Sequence, residues 1–114
     1  MSIFDKIDGL LKILDVPFYE AVAEFPENEE PPLYVVYNLY DTAELFGDGE
    51  LKTKKYTVTI NIIGDVAKSV DELQSELTEL FIQYDCVYAG CQYQIDEDYP
   101  KKYRRIIDFY VYGA

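Results

Sequence analysis

Residues Leu33–Asp41 read LYVVYNLYD, and a second run, KKYTVTINIIGD, follows about a dozen residues later at Lys54–Asp65. No other feature of the chain narrows its fold as much. On a strand, successive side chains point to opposite faces. Leu33, Val35, Tyr37 and Leu39 therefore share one side, and Tyr34, Val36, Asn38 and Tyr40 the other. In the second run Tyr56, Val58, Ile60 and Ile62 oppose Thr57, Thr59 and Asn61. The intervening FGDGE is rich in turn residues, so the two runs predict a long antiparallel hairpin. The first run is apolar or tyrosine at nearly every position, which raises the question of what its second face touches.

The flanking sequence supplies two amphipathic helices. Ile3, Ile7, Leu10, Leu11 and Leu14 follow helical spacing over residues 3–14, with Ser2 as N-cap and Val16-Pro17 as the stop. Phe18–Phe25 reads either as a short strand or as an extended connection, and PENEEPP as an acidic loop. Ser69 and Glu72 have capping-box spacing, and Val70, Leu73, Leu77, Leu80, Phe81 and Tyr84 form the buried stripe of the second helix. Val87, Ala89, Cys91, Tyr93 and Ile95 then alternate with Tyr88, Gly90, Gln92 and Gln94, which reads as a strand with one apolar face. IDEDYPKK is a turn, and Arg104–Tyr112 is a last strand with Ile107, Phe109 and Val111 inward. Two helical stripes need one sheet face to cover. The expected fold is α+β: a single domain, residues 1–114, with an antiparallel sheet of four to five strands and two helices packed on one face.

The other sheet face then carries Tyr34, Tyr40, Thr57, Thr59, Asn61, Tyr88, Gln92, Gln94, Tyr110 and Tyr112. Tyrosine joins a large apolar ring to a hydroxyl that stays hydrogen-bonded, which suits a surface alternately wet and buried. These residues are the candidate protein interface. Cross-strand pairing that merely stabilises an exposed sheet is the competing reading.

Chemistry is poorly provided for. The chain has 12 tyrosines but no histidine, so the commonest general base and metal ligand is missing. Cys86 and Cys91 lack the partners of a structural zinc site and read as free thiols, with a bridge between them as the weaker alternative. The acids of Asp96–Asp98, and those around the hairpin tip (Asp41, Glu44, Asp48, Glu50), do not match a calcium-loop pattern. Gly47 and Gly49 do not open a helix, so they form no phosphate loop. No catalytic, cofactor or metal site is expected, and the chain reads as a non-enzyme.

Charge is more informative. With 22 acidic and 10 basic residues the net charge is −12, which disfavours general binding to nucleic acid or to anionic membranes. The N-terminus has no signal-peptide pattern, and no run approaches the ~20 apolar residues of a membrane span. Seven of the ten basic residues fall in two runs, Lys52, Lys54, Lys55 and Lys101, Lys102, Arg104, Arg105. Acids gather at Glu24, Glu27, Glu29 and Glu30. Segregated charge of this kind permits head-to-tail pairing of copies, which closes into a ring when the rotation allows. Strand-end charges that keep sheet edges from aggregating are an equal alternative.

Taken together, PPLYVVYN, KKYTVTINIIGD, SVDELQSELTEL and the two closing strands resemble the tail-completion, or tail-terminator, proteins of long-tailed phages and prophages. Lys54–Leu80 carries most of the likeness. The resemblance implies a structural virion protein, made in the host bacterial cytoplasm, that is monomeric or oligomeric alone and assembles as a ring, commonly a hexamer. Such a ring caps the head-proximal end of the tail tube and contacts the tube protein and the head connector. An acidic lumen would suit passage of DNA. The rival expectation is a small cytoplasmic ligand-binding or regulatory domain acting as a dimer, which would need a concave pocket with convergent polar groups.

Overall fold

The computed structural model describes residues 3–21, 25, 30–44, 53–96 and 102–113. The elements run α1 (Ile3–Ile13), β1 (Phe18–Glu20), β2 (Leu33–Glu44), β3 (Thr53–Gly64), α2 (Ala67–Gln83), β4 (Val87–Asp96) and β5 (Lys102–Gly113). The sheet order is β1-β2-β3-β5-β4. All pairings are antiparallel except β1 with β2, where Phe18, Tyr19 and Glu20 lie beside Val35, Val36 and Tyr37. The start of the Phe18–Phe25 segment is thus a three-residue strand. The α+β expectation holds, with a mixed, mostly antiparallel sheet of five strands.

The hairpin register runs unbroken from Leu33 opposite Gly64 to Glu44 opposite Thr53. A one-residue slip would turn Val35 and Tyr37 away from the helices, so burial of that face pins the pairing. Val58, Ile60 and Ile62 of β3 lie at the centre of the core, between β2 and β5. From above they meet Ile7, Leu10 and Leu11 of α1 and Val70, Leu73, Leu77 and Phe81 of α2. Tyr37, buried among them, donates its hydroxyl proton to Asp8 Oδ1 of α1 at 2.6 Å. Strands of 12 residues span ~40 Å, whereas the 17 residues of α2 span ~25 Å. The sheet therefore outruns its helices, and the molecule measures 55 × 26 × 25 Å.

Local endings follow from backbone chemistry. Gly64 ends β3 where an added Cβ would sit 2.7 Å from Val70 Cγ2 and 3.0 Å from Leu33 Cδ1, so any larger residue must displace Val70. At the end of α2, Asp85 takes φ 67°, its amide donates to Ile82 O, and the Cys86 amide donates to Phe81 O at 3.0 Å. This is a Schellman closure, with aspartate in place of the usual glycine. Two expectations about α2 need correction. The helix begins at Ala67 with Val66 as N-cap and no side-chain cap bond, so Ser69 lies inside the first turn and the Ser69–Glu72 capping box is absent. Two residues suffice to turn the chain after Gly64, and burial of Val70 decides the start. Tyr84, expected in the stripe, is the exposed C-cap. Ser2 lies outside the described residues.

Strand β4 carries the largest departure. A bulge between Tyr88 and Gly90, with Gly90 at φ 140°, shifts the alternation by one. Tyr88 pairs with Phe109 on the helix side, and Val87 pairs with Tyr110 on the other. A lone glycine inside a strand pattern was the available signal for that bulge.

Candidate assembly surface

The face of β2 away from the helices is not bare. Tyr19 of β1 and Phe25 stand edge-on to the Tyr34 ring, at centroid distances of 6.2 Å and 5.1 Å, and at 5.3 Å from each other. Tyr34 is consequently only 7% exposed. Its hydroxyl donates to Glu30 Oε1 at 2.6 Å, and Glu30 Oε2 lies 3.5 Å from Lys102 Nζ, which also bonds Asp65. Burial first, then the Glu30 hydrogen bond, push the Tyr34 hydroxyl well above the ordinary tyrosine value. For Lys102, burial pulls the pKa down, but the hydrogen bond to Asp65 and the two carboxylate charges outweigh it and the net direction is up.

The structure corrects four site expectations. Tyr34 faces the open side as expected, yet the chain's own residues already cover it. Lys102 and Glu30, expected in opposite inter-subunit patches, are joined within one chain. Arg105, expected in the basic patch, points to the helix side. There its guanidinium contacts Asp71 Oδ1 at 2.7 Å and stacks 4.4 Å from the Tyr93 ring centre. Its parity with Ile107, Phe109 and Val111 signals that direction in the sequence. Tyr88 is likewise on the helix side, with its ring 6.1 Å from that of Phe109. Lys52, Lys101, Glu27 and Glu29 lie outside the described residues, as does the Lys54 side chain.

Across β3 and β5 the open face keeps its expected character. Tyr40 is 57% exposed, Tyr112 is exposed, and Lys55 Nζ sits 3.9 Å over the Tyr110 ring. Thr59 donates to Asp108 Oδ1 of the facing strand at 2.7 Å, while Thr57 and Asn61 are half-buried. Gln92 and Gln94 extend the face onto β4. Sequence reasoning missed the helix-side flank of β4, where Tyr93 and Ile95 are 65% and 52% exposed because α2 does not reach over them.

The depressions lined by described residues are shallow. A depression of about 370 Å³ on the open face is lined by Tyr34, Val36, Asn38, Asn61 and Arg104 among others, and one of about 380 Å³ lies between the end of α1 and the start of α2. Both open to solvent. Cys86 and Cys91 are free; Cys86 is buried, and the Gln74 amide donates to Cys91 Sγ at 3.3 Å. Among the described residues no three His, Cys, Asp or Glu side chains converge on a metal-sized point. No described helix is long and apolar enough to cross a membrane.

The arrangement defines a class first: an α+β domain whose two helices cover one face of an elongated five-stranded sheet and leave the other face open. No protein-family model and no curated protein matches the sequence. Solved structures do match the fold. Among them is a chain from the virion of a native gene transfer agent particle, with a TM-score of 0.59 and 12% identity over 91% of this chain and 84% of that one. At that identity the likeness is one of fold.

Proposed function

We propose that this protein is a structural component of a phage-like virion and serves as its tail terminator. In this reading copies form a ring at the head-proximal end of the tail, stop growth of the tube and join it to the head connector. The observation that carries the reading is the fold shared with a virion chain over nearly the full length of both. The open sheet face supports it, because Tyr40, Tyr110 and Tyr112 with their threonine and amide neighbours form a broad amphipathic surface suited to protein contact. The shallow depressions offer little to a small ligand, which weighs against the ligand-binding alternative. The role is structural rather than catalytic. A net charge of −12 per copy would keep a ring's bore from gripping the phosphate backbone. The protein is made in the host bacterial cytoplasm and ends in the tail of the particle.

Electron microscopy of particles produced without this protein tests the proposal. Overlong or headless tails are the expected result, and full-length tails correctly joined to heads would overturn it. Tyr40→Ala combined with Tyr112→Ala should leave the fold intact and reduce the yield of joined particles.

A further inference from the structure

An open sheet has two edges, and in this chain they are built differently. One edge begins with the three-residue β1, preceded by Pro17, a short strand of the kind that blunts edge-to-edge pairing. Past β1 the outer side of β2 from Asn38 onward has no strand beside it among the described residues. The other edge is β4, ten residues long, and no charged residue occurs between Val87 and Ile95 in a chain of net charge −12. Beyond its bulge, Cys91–Asp96 is a regular strand with no partner on its outer side among the described residues.

The backbone shows which groups point outward. The Val35 amide donates to Pro17 O, and the Ala21 amide donates to Tyr37 O, so odd-numbered residues of β2 turn their polar groups away from β3. Leu39, Asp41 and Ala43 continue that series. Antiparallel ladders alternate strictly, so the alternation can be carried across the register. Ile60 then faces Ile107, Ile106 faces Gln92, and Cys91, Tyr93 and Ile95 are left pointing off the far edge.

We propose that copies of this chain join edge to edge, Cys91–Asp96 of one pairing antiparallel with Asn38–Ala43 of the next. Ile95 then lies opposite Leu39, Tyr93 opposite Asp41 and Cys91 opposite Ala43. This deepens the ring reading above and rests on it for its setting. In this register outward groups meet outward groups, and helix-side positions meet helix-side positions. A shift of two residues one way sets Ile95 against Tyr37, whose carbonyl Ala21 already occupies. A shift of two the other way carries Cys91 past the end of β2. Direction agrees as well, because β4 runs opposite to β2.

The offset favours a closed ring over an open ribbon. Within one chain Cys91 is level with Tyr37, through Ile107 and Ile60. At the joint it meets Ala43, six residues further along the strand direction. Six residues rise ~20 Å while the four strands of each repeat, β2, β3, β5 and β4, span ~19 Å, a strand tilt of ~45°. Closed barrels tilt by about the same angle.

Disulfide trapping tests the joint. Gln94 and Tyr40 would face each other on the open side in a pair with Cα atoms ~4.5 Å apart, within bridging range. Full-length protein carrying Gln94→Cys and Tyr40→Cys, oxidised mildly in concentrated solution and in assembled particles, should give a ladder beyond the dimer that ends in one closed species. Ile95→Pro, which deletes one outward amide, should abolish the ladder while circular dichroism stays native. Dimers from Gln94→Cys alone would mean that β4 pairs with itself, which overturns the proposal. So would the absence of any cross-link in particles, or a ladder that survives in folded Ile95→Pro protein. The two readings fail separately. A ladder together with normal particles on deletion refutes the terminator and keeps the joint, whereas overlong tails without a ladder do the reverse.

Discussion

Replacing Tyr34 by alanine separates self-covering from assembly. Tyr34 is 7% exposed and stands edge-on to two rings, and its hydroxyl bonds Glu30. Truncating a buried aromatic costs about 3–5 kcal/mol. Tyr19 and Phe25 lie on the outer side of the sheet and can close part of the gap, which places Tyr34→Ala near ~3 kcal/mol. Glu30 keeps Lys102, so no carboxylate is stranded. For a chain of 114 residues that loss lowers the thermal midpoint by ~12 °C. Tyr40→Ala, at a position 57% exposed, should shift stability by no more than ~0.5 kcal/mol. Urea titration followed by far-UV circular dichroism measures both, at concentrations where the midpoint does not depend on protein concentration and with the m value unchanged. If Tyr34→Ala were as stable as the parent, or Tyr40→Ala equally damaged, the assignment of Tyr34 to the chain's own outer core would be wrong.

Alkaline stability follows from the same hydroxyls. Burial, and then hydrogen bonds to Glu30 and Asp8, raise Tyr34 and Tyr37 above the ordinary value of 10.0. A folded pKa above the unfolded one means that their contribution is complete below about pH 10 and is lost as pH rises beyond it. Urea midpoints of the Tyr34→Phe, Tyr37→Phe double variant should therefore decline less steeply than the parent's between pH 9 and 11.5. Gly64→Ala brings a methyl to 2.7 Å from Val70 Cγ2 and should destabilise by about 1–3 kcal/mol in the same titration, while an unshifted midpoint would mean that the β3–α2 corner is looser than described.

Much of the fold was legible because it is periodic. The two-residue repeat of β2 and β3 named their faces and their hairpin, and the stripe Val70, Leu73, Leu77, Phe81 named the buried side of α2. The site was less legible. Tyr40, Thr57, Thr59, Asn61, Tyr110 and Tyr112 lie on the open face as alternation requires, but the bulge at Gly90 carried Tyr88 to the other side. Local charge runs also misled, since Arg104 and Arg105 are neighbours in sequence and occupy opposite faces of β5.

The sequence by itself determined the two helices, the β2–β3 hairpin with its two faces, and the absence of histidine chemistry, because backbone geometry converts spacing directly into direction. Only the tertiary structure decided that β5 inserts between β3 and β4, that Tyr19 and Phe25 close over Tyr34, and that Glu30 meets Lys102. Those contacts join residues up to 72 positions apart, as with Glu30 and Lys102. No local pattern encodes them: they form when the apolar face of the sheet closes beneath both helices and fixes which distant side chains come to lie together.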